Sequence, residues 1–152
     1  MDPSQVRLQA LSDHGALRQQ LDGLEQAARE AADAPRADGA CRALREALSV
    51  LAQTLERHLD LEDGILVPAL REIDAWGEVR AASVEEEHAR QRHALTDLDH
   101  TCAELAEDLD QLVAFALTFA AELRCDMAAE ETDVLSANLL RDDPVTVNQT
   151  SG

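Results

Sequence analysis

Residues 41–65, CRALREALSVLAQTLERHLDLEDGI, carry the pattern that decides the fold. Inward positions recur in alternating steps of three and four residues, which is the spacing of a buried helix face. These positions are Cys41, Leu44, Leu48, Leu51, Leu55, His58, Glu62 and Ile65. His58 and Glu62 occupy places where leucine is expected, and residues four apart share one helix face. Because burying a charge is costly unless it is paired or coordinated, the pair indicates a metal site.

Three further segments show the same spacing, so we predict an all-α, up-down-up-down antiparallel four-helix bundle. Helix 1 is predicted at about residues 4–33 and helix 2 from about 40 to 71. Helix 3 is predicted to begin near residue 79, and helix 4 to extend to about residue 137. The bundle is expected to occupy residues 1–140, and the polar residues 141–152 are expected to form a disordered tail.

Two boundaries in this scheme depend on single residues. No glycine or proline occurs between Gly77 and Pro144, and one helix of that length would be far outside the normal range. The turn between helices 3 and 4 is therefore placed at residues 107–110, where Asp makes a good N-cap. Pro68 is predicted to kink helix 2 or to end its regular part.

Composition excludes several classes of protein. The chain has 152 residues, 29% charged and 2% aromatic, and a formal net charge of -18. Such a surface repels nucleic acid and anionic membranes, and no apolar run is long enough to span a bilayer. The first residues do not resemble a signal segment, so we expect a cytoplasmic protein. The three cysteines show no metal-binding spacing, and Cys41 and Cys102 are predicted to pack as small apolar residues.

Polar residues interrupt the apolar faces of all four predicted helices. In an antiparallel bundle these residues fall at one level, so we predict that they meet as metal ligands. The set is His14, His58, Glu62, His88, Asp126 and Glu130. Without a metal they would need a self-satisfied buried network, which is hard to build. His93 and His100 fall off the buried face and are predicted to be exposed.

These residues resemble the hemerythrin-like (HHE cation-binding) family. The resemblance covers about residues 6–137 and is carried by Asp13-His14, by the HxxxE segment from His58 through Pro68, by Glu87-His88 and by Asp126 with Glu130. It implies two iron ions bridged by carboxylates and by an oxo or hydroxo group. Glu62 and Glu130 would bridge the irons, and the three histidines would be terminal ligands.

The sequence departs from the family at Asp126, where the family has a histidine. The shorter carboxylate leaves open whether it ligates through water or leaves a coordination position vacant. Mixed nitrogen and oxygen ligands also accept zinc or manganese. Glu85, three residues before His88, is an alternative additional ligand.

The resemblance implies a protein that binds or reacts with O2, peroxide or NO, or that senses or stores iron. Its expected partner is a small diatomic molecule or peroxide, and nothing in the sequence specifies a protein partner. Two alternatives stay open at this stage. One is a di-iron oxidant enzyme, catalase-like or ferroxidase-like, and the other is a degenerate bundle with a mononuclear or lost metal site.

Overall fold

The structure, a computed structural model, describes residues 1–35, 39–105 and 108–142. The described residues form four α-helices, which confirms the predicted fold class. They are α1 (Pro3–Asp33), α2 (Ala40–Ile73), α3 (Gly77–Glu104) and α4 (Leu109–Asp133). Pairs of arginine contacts show that neighbouring helices run antiparallel. Early in α1, Arg7 reaches Leu135 just after α4, whereas Asp22, later in α1, meets Arg124 of α4. In the same way Asp60 of α2 meets Arg92 of α3, whereas the later Arg71 meets the earlier Glu85.

Leucine-rich faces of α1, α2 and α4 form most of the apolar core. One buried cluster runs from Leu17 to Ala31 on α1 and packs against α2 and α4. A second cluster contains Val6, Leu66, Val84 and Val134, near the opposite end of the bundle. The predicted polar level lies between these two clusters along every helix, so apolar layers cover it on both sides.

The turn between α3 and α4 confirms the prediction from Asp108. This residue is the N-cap of α4, and its carboxylate accepts a hydrogen bond from the backbone N–H of Gln111 at 3.0 Å. An acidic N-cap accepts a hydrogen bond from an otherwise free N–H group, and its negative charge interacts favourably with the positive end of the helix dipole. The neighbouring Glu107, which also belonged to the predicted turn, lies outside the described residues.

The turn between α2 and α3 requires a glycine for steric reasons. A Cβ atom at Gly77 would collide with the backbone carbonyl oxygens of Leu70 and Arg71. The chain therefore reverses direction directly against the last turn of α2. Pro68 does not end α2, which continues to Ile73 because Leu70 remains buried in the second cluster.

The end of α4 differs from the sequence prediction. The helix ends at Asp133 rather than near residue 137. The chain then turns so that Leu135 and Leu140 are buried over the second apolar cluster. Asp142 accepts hydrogen bonds from the backbone N–H and the hydroxyl of Ser4, which holds this segment against the start of α1. The rest of the predicted tail, residues 143–152, lies outside the described residues.

No helix in the described ranges combines the length and the apolar character that crossing a bilayer would require.

Candidate metal centre

Polar side chains from all four helices reach the level between the two apolar clusters. His14 and Glu62 are completely buried, and His58 and His88 are 5% and 2% exposed. Each lies on the inward face of its helix because it keeps the three- and four-residue spacing of the leucines. Glu130 of α4 reaches the same level and retains only slight exposure. The antiparallel arrangement therefore brings residues distant in sequence into one buried layer.

Four of the predicted ligands form a compact group. His14, His58, Glu62 and Glu130 each offer one ligand atom, and these atoms all lie within 4.8 Å of one another. His14 Nε2 is 3.4 Å from Glu130 Oε2 and 3.8 Å from Glu62 Oε1. His58 Nε2 is 3.3 Å from Glu62 Oε2. Two imidazoles and two carboxylates facing one point are a donor set that divalent transition metals accept.

His88 joins this group through Glu62. Its Nε2 atom is 3.2 Å from Glu62 Oε2, the same oxygen that faces His58. The carboxylate of Glu62 thus has an imidazole from α1, α2 and α3 within 4 Å. Glu62 is therefore the carboxylate that contacts all three central histidines.

Asp126 lies beside the compact group and does not enter it. Its Oδ2 atom is 3.5 Å from Gln91 Nε2, and the side chain is half-buried. Asp126 lines a cavity of about 130 Å³ between α3 and α4, together with His88 and Glu130. Burial raises the pKa of Asp126. The predicted sixth ligand thus borders a small open space at the α3 side of the centre.

Several buried polar atoms in the described part of the chain have no hydrogen-bond partner. Four of them belong to the compact group: His14 Nε2, His58 Nδ1, Glu62 Oε1 and Glu130 Oε1. Leaving a buried polar atom unsatisfied costs about 1–3 kcal/mol. Buried polar groups in proteins are normally satisfied, and a cation at the centre would satisfy three of these atoms, His14 Nε2, Glu62 Oε1 and Glu130 Oε1. The residues present therefore fit a metal ion.

Burial and neighbouring charges displace the protonation equilibria of the centre. Burial lowers the pKa of His58 to about 4, with the nearby His14 acting in the same direction. Burial raises the pKa of Glu62. For His14 and His88, burial lowers the pKa, but neighbouring carboxylates outweigh it and the net pKa is raised. Since a metal ion binds the neutral imidazole, protons and a metal ion compete for these two histidines.

Two carboxylates that the sequence analysis missed contact the Nδ1 atoms of His14 and His88, on the side of each ring that faces away from the centre. Glu131 Oε1 is 2.8 Å from His14 Nδ1, and Asp63 Oδ1 is 2.6 Å from His88 Nδ1. Each residue directly follows an inward glutamate, so the doublets Glu62-Asp63 and Glu130-Glu131 were the available signal.

The remaining candidates lie away from the centre. Glu85 is exposed and forms a two-oxygen hydrogen bond with Arg71, so it is not an additional ligand in this arrangement. His93 is exposed, as predicted, and its nearest carboxylate is Asp97 at 3.4 Å. Cys41 and Cys102 are free thiols packed partly against the core, as predicted.

An antiparallel four-helix bundle with a buried histidine–carboxylate cluster belongs to the class of metal-binding helical bundles. Within that class, residues 10–137 match the family model described as the hemerythrin HHE cation binding domain. The chain therefore belongs to this family, and the resemblance stated from its motifs is confirmed. Comparison with curated proteins gave no significant match, and comparison with solved structures gave none either. Family membership and the buried His/Glu cluster together support metal binding.

Proposed function

We propose that this protein binds iron at the centre of its bundle and uses the bound metal to bind or react with O2, peroxide or NO, or to sense or store iron. The observation that carries the proposal is the convergence of buried, unpartnered ligand atoms from α1, α2 and α4. Their nitrogen and oxygen donors suit iron, and they also accept zinc or manganese.

The residues divide between two metal positions. His14 and His58 would hold one ion, and His88 with Asp126 would contribute to a second. Glu62 and Glu130 lie between the two groups and would bridge the ions. The contacts of Glu62 with both His58 and His88 support this assignment, as does the cavity that His88, Asp126 and Glu130 share.

A pair of iron ions would supply one-electron redox chemistry and coordination positions for small molecules. The protein would control which molecules arrive. The cavity of about 130 Å³ between α3 and α4 is small, and its lining includes the acidic residues Glu87 and Asp133. Acidic walls disfavour anions. Neutral molecules of the size of O2, NO or hydrogen peroxide fit this volume and are not repelled by the acidic walls.

A mononuclear centre is the second candidate, and a specific observation favours it. Only four of the six predicted ligands share one compact site, and Asp126 lies apart from them. A set of two imidazoles and two carboxylates is complete for a four-coordinate ion such as zinc. The His88 side then remains a polar pocket next to a single metal.

Metal content decides between these candidates. The full chain is produced in iron-supplied cells, and its elemental composition and visible absorption are measured beside Glu62→Ala. Glu56→Ala, an exposed carboxylate on the same helix, serves as the matched control. Two irons per chain with charge-transfer absorption, lost only in Glu62→Ala, support the di-iron proposal. One metal per chain supports the mononuclear candidate, and no metal after growth with iron, manganese or zinc refutes both.

A further inference from the structure

Two of the three central histidines are held at the ring nitrogen that faces away from the centre. The first is His14 on α1. Its Nδ1 atom is 2.8 Å from Glu131 Oε1 of α4, and Arg18 NH1 is 2.8 Å from that same oxygen. A histidine, a carboxylate and an arginine thus form a continuous chain across the interface between α1 and α4.

The second histidine is His88 on α3. Its Nδ1 atom is 2.6 Å from Asp63 Oδ1 of α2, and Arg92 NH2 is 2.7 Å from Asp63 Oδ2. Arg92 also contacts Asp60, which fixes the guanidinium against α2. The same three-residue chain therefore occurs at the interface between α2 and α3.

The two hydrogen-bonded chains, each of a histidine, a carboxylate and an arginine, share the same sequence spacing. In each, the arginine lies four residues after the histidine on the same helix, one turn further along. In each, the carboxylate directly follows an inward glutamate on the neighbouring helix. His58 is the exception, since its Nδ1 atom is buried without a hydrogen-bond partner among the described residues.

We propose that Glu131 with Arg18, and Asp63 with Arg92, are positioning residues that make Nε2 the metal-binding atom of His14 and His88. This inference rests on the proposed metal binding at the centre. An ionised carboxylate can only accept hydrogen bonds, so it holds the neutral imidazole with its proton on Nδ1. The lone pair then lies on Nε2, which faces Glu62 in both histidines.

The arginines complete the arrangement. Each guanidinium contacts the same carboxylate as the histidine does. It keeps that carboxylate ionised and fixes its position by charge-assisted hydrogen bonds. A carboxylate on the outer nitrogen also makes the imidazole a better metal ligand, and losing such a partner typically lowers metal affinity about 10–100-fold. His58 has no such carboxylate on its Nδ1 atom among the described residues, so the proposal does not apply to it.

The bundle contains matched controls for this proposal. Arg124 pairs with Glu25 across the same α1–α4 interface, at 2.8 Å. Arg71 pairs with Glu85 across the α2–α3 interface, at 2.8 Å. Both join the same helices as the two hydrogen-bonded chains, but neither carboxylate contacts a histidine within the part of the protein that the structure describes. A purely structural role would make all four carboxylates equivalent.

The first test needs no metal. Nitrogen-15 NMR of the metal-free full chain, at a pH where the imidazoles are neutral, reports which ring nitrogen carries the proton. We expect His14 and His88 to be protonated on Nδ1, and we expect Glu131→Ala and Asp63→Ala each to release that preference in its own partner. Protonation on Nε2 in both wild-type histidines would overturn the proposal.

The second test measures zinc affinity of the full chain by competition with a chelator. Glu131→Ala and Asp63→Ala are expected to weaken binding about 10–100-fold, whereas Glu25→Ala and Glu85→Ala leave it unchanged. Glu131→Gln retains an acceptor oxygen and a similar shape, so it should fold and recover part of the loss. Equal weakening in all four alanine variants would overturn the proposal. Absence of zinc and iron binding in the wild type would refute the proposed function, while the NMR result would still decide the hydrogen-bond arrangement.

Discussion

His58→Gln is expected to remove a pH-dependent loss of stability from the metal-free protein. His58 is almost fully buried, and burial lowers its pKa from 6.5 to about 4. On acidification the unfolded chain takes up a proton at this residue before the folded chain does. The free energy of unfolding therefore falls as the pH drops below the unfolded pKa, and it stops falling below the folded pKa.

The magnitude follows from the two pKa values. A tenfold difference in proton affinity corresponds to about 1.4 kcal/mol. The contribution of His58 is thus about 2 kcal/mol between about pH 7 and pH 5, and it approaches about 3 kcal/mol in stronger acid. His14 and His88 act with the opposite sign, since their pKa values are raised. Their contribution is complete below the unfolded pKa and is lost as the pH rises through the folded pKa.

Urea denaturation of the chelator-treated protein at several pH values isolates the His58 contribution. The quantity of interest is the difference between the wild type and His58→Gln as a function of pH, because the other titrating groups largely cancel in it. His93→Gln, at an exposed position, is the control for losing a histidine. A parallel pH dependence of wild type and His58→Gln would show that His58 is not buried in its neutral form, and the electrostatic account of the centre would be refuted.

Three further outcomes are expected. Iron at about 100 times its dissociation constant should raise the free energy of unfolding by about 2.7 kcal/mol, measured by thermal denaturation, and Glu62→Ala should abolish this gain. Asp126→His should strengthen binding of a second ion, since the neighbouring cavity of about 130 Å³ has room for an imidazole; an unchanged second step in a metal titration would contradict this. Gly77→Ala should destabilise the protein by about 1–3 kcal/mol, while Gly23→Ala, which meets no atom within 4 Å, should stabilise it by about 0.5–1 kcal/mol. Urea unfolding distinguishes the two glycine variants, and equal effects would contradict the steric argument.

Helix spacing alone predicted which face of its helix each polar residue occupies. The three- and four-residue steps around His58 place it on the same face as Leu55 and Glu62, and the structure buries all three. The start of α4 at Asp108 was also predictable, since an acidic N-cap is a local feature. These predictions succeeded because they concern one helix at a time.

The contacts of Glu131 and Asp63 were not predictable in that way. Each carboxylate lies one residue, or about 100°, away from an inward glutamate on its own helix. Whether such a side chain meets a histidine depends on how far the two packed helices are rotated about their axes. The sequence pattern does not contain that rotation. The end of α4 failed for a similar reason, because Leu135 and Leu140 are buried by a reversal of the chain rather than by a continuing helix.

The position of Asp126 bears on how many metal ions the centre can hold. Four donors, among them His14 and Glu130, already share one site within 4.8 Å, whereas the α3 side offers His88 and a carboxylate that only borders the cavity. Helix α3 also contributes little to the apolar core, with Val84 and Leu98 as its larger buried apolar side chains. A second ion would therefore link α3 to the bundle where packing does so least. Its binding should stabilise α3 more than the other helices, and amide hydrogen exchange at one and two metal equivalents would show this as added protection that is largest in α3.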